Sequence, residues 1–129
     1  MTFSPVRLNH AVLYVSDLER AVAFYTDTFG MQVMARAARA NAAFLRLAHS
    51  ENHHDLGLFG LGPTAPPHQH GSIGLYHLAW QVDTIEELVA ARAALVGSKA
   101  LTGESNHGAT KSLYGADPDG NRFIVHQRK

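Results

Sequence analysis

Leu8-Asn-His10-Ala-Val12-Leu-Tyr14-Val15-Ser-Asp-Leu18-Glu19-Arg-Ala-Val22-Ala23-Phe-Tyr25-Thr-Asp-Thr-Phe29-Gly30 returns in altered form 67 positions later, and that recurrence decides the fold. Sliding Leu8 onto Leu75 superposes His10 on His77, Val15 on Val82, Glu19 on Glu86, Val22 on Val89, Ala23 on Ala90 and Gly30 on Gly97. Seven identities at one offset over 23 positions read as a duplicated unit. Each copy opens on an apolar, β-branched and aromatic run, residues 7–15 and 74–82, which predicts a strand. A helix should follow each. Ser16 with Glu19, and Thr84 with Glu87, have capping-box spacing. Leu18, Val22, Tyr25 and Phe29 then fall at helical spacing, as do Ile85, Leu88, Ala91 and Leu95. Gly30 and Gly97 stand where a left-handed helix end favours glycine.

Shorter strand candidates follow each helix: about 31–38, 42–48 and 54–60, then 99–104, 111–115 and 121–127. Asp117-Pro-Asp-Gly120 is a turn signal, with proline fixing φ and glycine free to take positive φ, so the last two strands should form a hairpin. A Pro/Gly-rich connector, about residues 61–72, joins module one (about 5–60) to module two (about 73–129). The expected architecture is a single α+β domain of two tandem βαβββ modules whose curved sheets enclose a shared cavity.

Composition narrows the function classes. The 129 residues suit one domain, and 46% hydrophobic with 17% charged residues suits a packed core. Eleven basic residues balance eleven acidic ones, which predicts no nucleic-acid partner and no anionic membrane surface. The absence of cysteine excludes thiolate nucleophiles, iron–sulfur clusters and thiolate zinc sites. No apolar run approaches the ~20 residues that span a bilayer, and the first residues lack a signal-peptide core, so a soluble, cytoplasmic protein is expected.

Nine histidines are the compositional outlier. Imidazole is the commonest metal ligand and titrates near neutrality, so the excess points to metal or proton chemistry. His49, His68 and His70 read as surface residues. Strand alternation puts Leu8, His10, Val12 and Tyr14 on one face, and Leu75, His77, Ala79 and Gln81 on another. His10 and His77 are therefore pseudo-symmetry mates. On spacing alone, a pair of hydrogen-bonded core histidines is the plainer reading, and half of a metal site is the other.

The residues Leu8-Asn-His10, Val15 through Tyr25, Phe29-Gly30, Tyr76-His77 and Asp117-Pro-Asp-Gly-Asn-Arg-Phe123 resemble the vicinal oxygen chelate superfamily of glyoxalases, bleomycin-binding proteins, fosfomycin-resistance enzymes and extradiol dioxygenases. The resemblance runs from Leu8 to Gln127 and specifies a fold more narrowly than a reaction. Three segments are similar to the extradiol catechol-dioxygenase branch: His53-His54-Asp-Leu-Gly-Leu-Phe59, Gly74-Leu-Tyr-His77, and Asn106-His107-Gly-Ala-Thr-Lys-Ser-Leu-Tyr114. The resemblance implies that His10 and His77 bind metal, that His54 moves protons, and that His107 and Tyr114 orient substrate. The implied cofactor is Fe(II) or Mn(II), which needs few protein ligands so that a bidentate catecholate and dioxygen find open positions. A homodimer is implied as well.

One departure matters. The family's third ligand, a glutamate after Asp-Pro-Asp-Gly, aligns with Ile124, which cannot bind a metal. His126 lies two residues on, on the same strand face but ~6.6–6.8 Å farther along, and a bulge there would complete a three-histidine site. Losing the carboxylate counts against glyoxalase-type isomerases and fosfomycin-type transferases. Two readings lead, an extradiol dioxygenase-like enzyme acting on a catechol-type small aromatic or a metal-free protein that binds an aromatic or antibiotic, and a glyoxalase-type lyase or isomerase ranks below both. Tyr14, Phe44, Tyr76, Trp80 and Tyr114 are the candidate cavity aromatics.

Overall fold

The computed structural model describes residues 1–107 and 110–128, with His107 and Thr110 by their backbone alone. Two βαβββ modules follow one another. The first contains β1 (Ala11–Val15), α1 (Leu18–Phe29), β2 (Gln32–Ala37), β3 (Ala42–Arg46) and β4 (Leu56–Gly60). The second contains β5 (Leu78–Val82), α2 (Ile85–Gly97), β6 (Leu101–His107), β7 (Thr110–Ala116) and β8 (Arg122–Gln127). Both sheets have the same order, β1-β4-β3-β2 and β5-β8-β7-β6, with β1 parallel to β4 and β5 parallel to β8. The duplication legible in the sequence is thus a duplication of topology.

Local rules explain most of the boundaries. Gly30 ends α1 at φ 66°, its N–H donating to the Tyr25 carbonyl. Thr84 and Glu87 form the expected reciprocal capping box. Gly120, at φ 83°, donates to the Asp117 carbonyl at 2.9 Å and closes the β7–β8 hairpin. Two expectations are corrected. Ser16 does not cap α1: Asp17 does, accepting from the Arg20 amide at 3.1 Å. Ser16 is instead drawn to Asp119, and Glu19 pairs with Arg36. The left-handed residue beyond α2 is Lys99 at φ 60°, not Gly97, because the helix runs through Gly97 and caps at Ser98.

One apolar core serves both modules. Leu45, Leu56 and Leu58 are fully buried behind sheet one, while Leu88, Leu95, Leu113 and Val125 fill the space behind sheet two. Aromatic contacts join the halves: Phe29 lies 6.0 Å from Trp80 and 5.0 Å from Phe123, ring centre to ring centre. A polar staple reinforces the joint. The buried Tyr25 hydroxyl donates to Asp117 at 2.8 Å, and Asp117 also accepts from the Asp119 and Asn121 amides and the Asn121 side chain. Asp119 in turn accepts from the Ser16 amide and hydroxyl and from Arg20.

The two sheets remain separate and do not close into one barrel. Alternation therefore leaves one face of each sheet open: Leu13 and Val15 are buried, whereas Val12 and Tyr14 are 50% and 70% exposed. The cavity that both modules share, of about 730 Å³, lies at the β1–β5 joint under the connector. No helix among the described residues is long and apolar enough to cross a membrane.

Candidate functional site

Sheet one carries a histidine cluster where β1 and β4 begin side by side. The register pairs Ala11 with Leu56, so the segments that lead into the two strands run side by side, and His10, just before β1, meets His54, two residues before β4. Their ring centres are 4.7 Å apart, and the His54 ring lies 5.0 Å from Phe44. Gly57 leaves room for this arrangement. A Cβ there would stand 3.3 Å from Val12 and 3.4 Å from Phe44 on the open face.

The histidines are held by side chains that sequence reasoning missed. Asp55, buried, accepts from the Leu47 amide, the Ser50 hydroxyl and Asn52 Nδ2 at 2.7–2.9 Å. Asn52 also donates to the Asn9 carbonyl at 3.1 Å, tying the His53-His54 turn to the start of β1. The available signal was the Asn-His-His-Asp run, in which polar residues with turn propensity flank the two imidazoles. His10 Nδ1 sits 2.8 Å from Asn9 Oδ1, and its Nε2 has no hydrogen-bond partner among the described residues. His54 Nδ1 sits 3.0 Å from His53 Nδ1. Burial, then the neighbouring His10 and His53, push the His54 pKa below its ordinary value, against the opposing pull of Asp55. His54 is therefore a neutral base at physiological pH.

Sheet two carries the other half. His77, Tyr114 and Ile124 line one depression of about 370 Å³. Tyr114 and Ile124 are cross-strand partners between β7 and β8, which puts position 124 on the same open face as Tyr114. The Tyr114 hydroxyl lies 3.2 Å from Ser105 Oγ. His126 is opposite Ser112, with Nδ1 3.0 Å from its hydroxyl and Nε2 without a hydrogen-bond partner among the described residues. β8 pairs without a register shift on both sides from Phe123 to His126, so no bulge carries His126 toward position 124. The side chain of His107 lies outside the described residues.

The structure thus brings His10 to His54, and His77 to Tyr114 and Ile124, but the two groups occupy different sheets. Among the described residues, no group of three or more His, Asp or Glu side chains is close enough to hold a metal ion. Of the expected cavity aromatics, Tyr14, Tyr76 and Trp80 line the cavity at the β1–β5 joint. Tyr114 and Tyr76 line the sheet-two depression, and Phe44 packs on His54 and Phe59.

Known proteins are similar to this chain in sequence and in fold. Residues 7–125 match the profile of the Glyoxalase/Bleomycin resistance protein/Dioxygenase superfamily. A biphenyl-2,3-diol 1,2-dioxygenase of Rhodococcus globerulus is 35% identical over 124 residues, covering 94% of this chain and 62% of that protein. A catechol-2,3-dioxygenase of Bacillus subtilis is 31% identical over 120 residues, covering 88% of this chain and 39% of that protein. The chain therefore spans less than two thirds of the length of either relative. A glyoxylase/bleomycin resistance protein/dioxygenase domain from Frankia sp. EAN1pec superposes with a TM-score of 0.80 at 20% identity, covering 98% of this chain and 94% of that one. With two topologically equivalent βαβββ modules and a profile match over nearly its whole length, the chain belongs to the glyoxalase/bleomycin resistance protein/dioxygenase superfamily.

Proposed function

We propose that the protein is an extradiol dioxygenase-like enzyme acting on a catechol-type small aromatic. The observation that carries the reading is the pairing of a neutral His54 with His10 on one open face, in a chain whose relatives at 31–35% identity are named as diol dioxygenases. His54 accepts a proton from a diol hydroxyl and returns it later, a role suited to an imidazole held neutral beside the substrate. Tyr114 orients the ring and its oxygens, a role that the family resemblance also assigns to His107.

The donor chemistry fits a divalent ion, Fe(II) or Mn(II). His10 and His126 each have Nδ1 engaged by a side-chain oxygen and Nε2 without a hydrogen-bond partner among the described residues, the arrangement that orients an imidazole toward a metal. His10 and His77 are the proposed ligands, and His126 is the imidazole of β8 on the same open face. Ile124 supplies nothing, so the protein holds the ion less tightly than a two-histidine, one-carboxylate site would. Such an ion, when bound, would supply Lewis acidity toward a diol and a redox partner for dioxygen.

The halves of the site lie on different open sheets, and a second copy of the chain could set one half against the other. Leu75 and Tyr76, 55% and 68% exposed, join Val12 and Tyr14 in offering such a contact apolar surface. A homodimer is accordingly part of the proposal. The test is oxygen uptake by the metal-loaded protein with catechol and with 2,3-dihydroxybiphenyl. Ring-opened product that disappears in His10→Ala and His54→Ala supports the reading, and intact diol in the presence of bound metal refutes it.

A second reading has its own observation. The cavity of about 730 Å³ at the β1–β5 joint, walled by Tyr14, Tyr76 and Trp80, is of a size that encloses a drug-like aromatic without any metal. Saturable binding of aromatics by metal-stripped protein, with no turnover after metal is restored, selects this reading.

A further inference from the structure

Arg122 opens β8 on the strand that also carries Ile124, and its guanidinium has no carboxylate or hydrogen-bond partner among the described residues. The acidic groups nearest in sequence are already committed. Asp119 is engaged by Ser16 and Arg20, and the buried Asp117 by Tyr25, Asn121 and backbone amides. The Arg122 guanidinium carbon instead lies 5.8 Å from the centre of the Tyr76 ring.

The connector folds back onto the same spot. His70 approaches the β7–β8 turn closely enough that a Cβ on Gly120 would stand 3.5 Å from its Nε2, and the His68 ring packs 4.9 Å from His70. Arg122 and Tyr76 belong to both the cavity at the β1–β5 joint and the sheet-two depression, so they form the ridge between the two. The depression also holds His70, His77 and Tyr114, and no Asp or Glu among the described residues lines it. A guanidinium, two imidazoles and two phenol rings without a counter-charge make an electropositive, aromatic pocket. Its volume of about 370 Å³ suits one substituted ring.

We infer that this depression binds an aromatic carboxylate, with the carboxylate on Arg122 and His70 and the ring against Tyr76, Tyr114 and Ile124. Arg122 supplies two parallel N–H donors to the carboxylate, with its guanidinium over the Tyr76 ring at cation–π distance. His70 donates a further hydrogen bond. Desolvation, then Arg122 and His68, lower the pKa of the exposed His70 ring, whose N–H donates in either protonation state. The inference rests on the proposed function only in that it adds a negatively charged substituent to the aromatic class named there.

Calorimetry on metal-stripped protein with benzoate and benzamide tests it. Neither probe is a diol and no oxygen is involved, so a failure here leaves the ring-cleavage reading standing, and absence of ring cleavage leaves this site standing. Benzoate should bind at least about tenfold more tightly than benzamide, as expected for a charge-assisted hydrogen-bonded pair. Arg122→Gln should reduce that ratio to about twofold, Arg122→Lys should keep part of it, and His70→Gln should weaken benzoate alone. Raising salt from about 0.05 to about 0.5 M should weaken wild-type benzoate binding and leave benzamide unchanged. That salt series stands in should Arg122→Gln fail to fold. Equal affinities for the two probes, a ratio retained in folded Arg122→Gln, or salt-independent benzoate binding each overturns the inference.

Discussion

Replacing Tyr25 with phenylalanine removes one oxygen from the joint between the modules and nothing from the ring packing. The lost hydroxyl donates to Asp117 at 2.8 Å, and both side chains are buried, Tyr25 2% and Asp117 6% exposed. A hydrogen bond to a charged group contributes about 1.5–3 kcal/mol. Asp117 keeps its bonds from the Asp119 and Asn121 amides and the Asn121 side chain, so the expected loss is in the lower half of that range, about 2 kcal/mol. With a urea m-value of about 2 kcal/mol/M, the midpoint should fall by about 1 M at an unchanged slope. The pH dependence gives a second, independent magnitude. Burial, then the Asp117 charge and hydrogen bond, hold the Tyr25 hydroxyl protonated in the folded chain far above the ordinary phenol range. In the unfolded chain it deprotonates near pH ~10. Above that pH the unfolded state binds fewer protons than the folded one, so stability falls as pH rises. The stabilisation is complete below ~10, and one unit above it about 1.4 kcal/mol is lost. Phenylalanine has no such proton. The difference between wild type and Tyr25→Phe should therefore shrink from about 2 kcal/mol near pH ~8 to under about 1 kcal/mol near pH ~11. A difference below about 0.5 kcal/mol at the lower pH, or one that does not narrow, refutes the assignment of the staple.

Three further outcomes follow from the geometry. His54→Ala should reduce ring cleavage by about 10²–10⁴-fold with little change in metal affinity, measured by oxygen uptake beside a metal titration. Ile124→Glu should raise Fe(II) affinity, because position 124 shares its depression with His77, and calorimetry under anaerobic conditions reads the change. Gly115→Ala should destabilise the fold by about 1–3 kcal/mol in urea unfolding, since the added Cβ would stand 2.5 Å from the Phe123 ring and 2.9 Å from the Ala100 carbonyl.

The repeat made the architecture legible, because Val15 and Val82 end the first strand of each module and Glu19, Val22 and Ala23 fall in α1 as Glu86, Val89 and Ala90 fall in α2, whereas Gly30 and Gly97 take different places at the helix ends. Asp117-Pro-Asp-Gly120 was legible as a turn for a local reason, its proline and glycine chemistry. Its second role was not. That the same four residues grip Tyr25 and Ser16 depends on contacts 92 and 103 positions apart, which no local rule encodes. Ser16 was misread for this reason: its hydroxyl suits a helix cap, but the carboxylate of Asp119 competes for it and Asp17 takes the cap. At the site, His10 and His77 stood out as symmetry mates, but the strands begin one residue after each of them, at Ala11 and Leu78, so the alternation expected from residues 7–15 and 74–82 does not extend to either histidine. The meeting of His10 with His54 depends on the parallel β1–β4 register, which brings two loop ends side by side and is not readable from either segment alone. Arg122 gave no signal in the sequence, since a lone arginine after a turn is ordinarily a solvated residue. Its significance comes from the connector folding back so that His70 and Tyr76 surround it.

An anaerobic Fe(II) titration of metal-stripped protein, followed by Trp80 fluorescence with His10→Ala and His77→Ala in parallel, tests the central claim most directly. Saturable binding of one ion per chain, lost in both variants, is the result predicted by a site shared between the two open faces. Binding that survives either substitution, or no specific binding by the wild type, contradicts it.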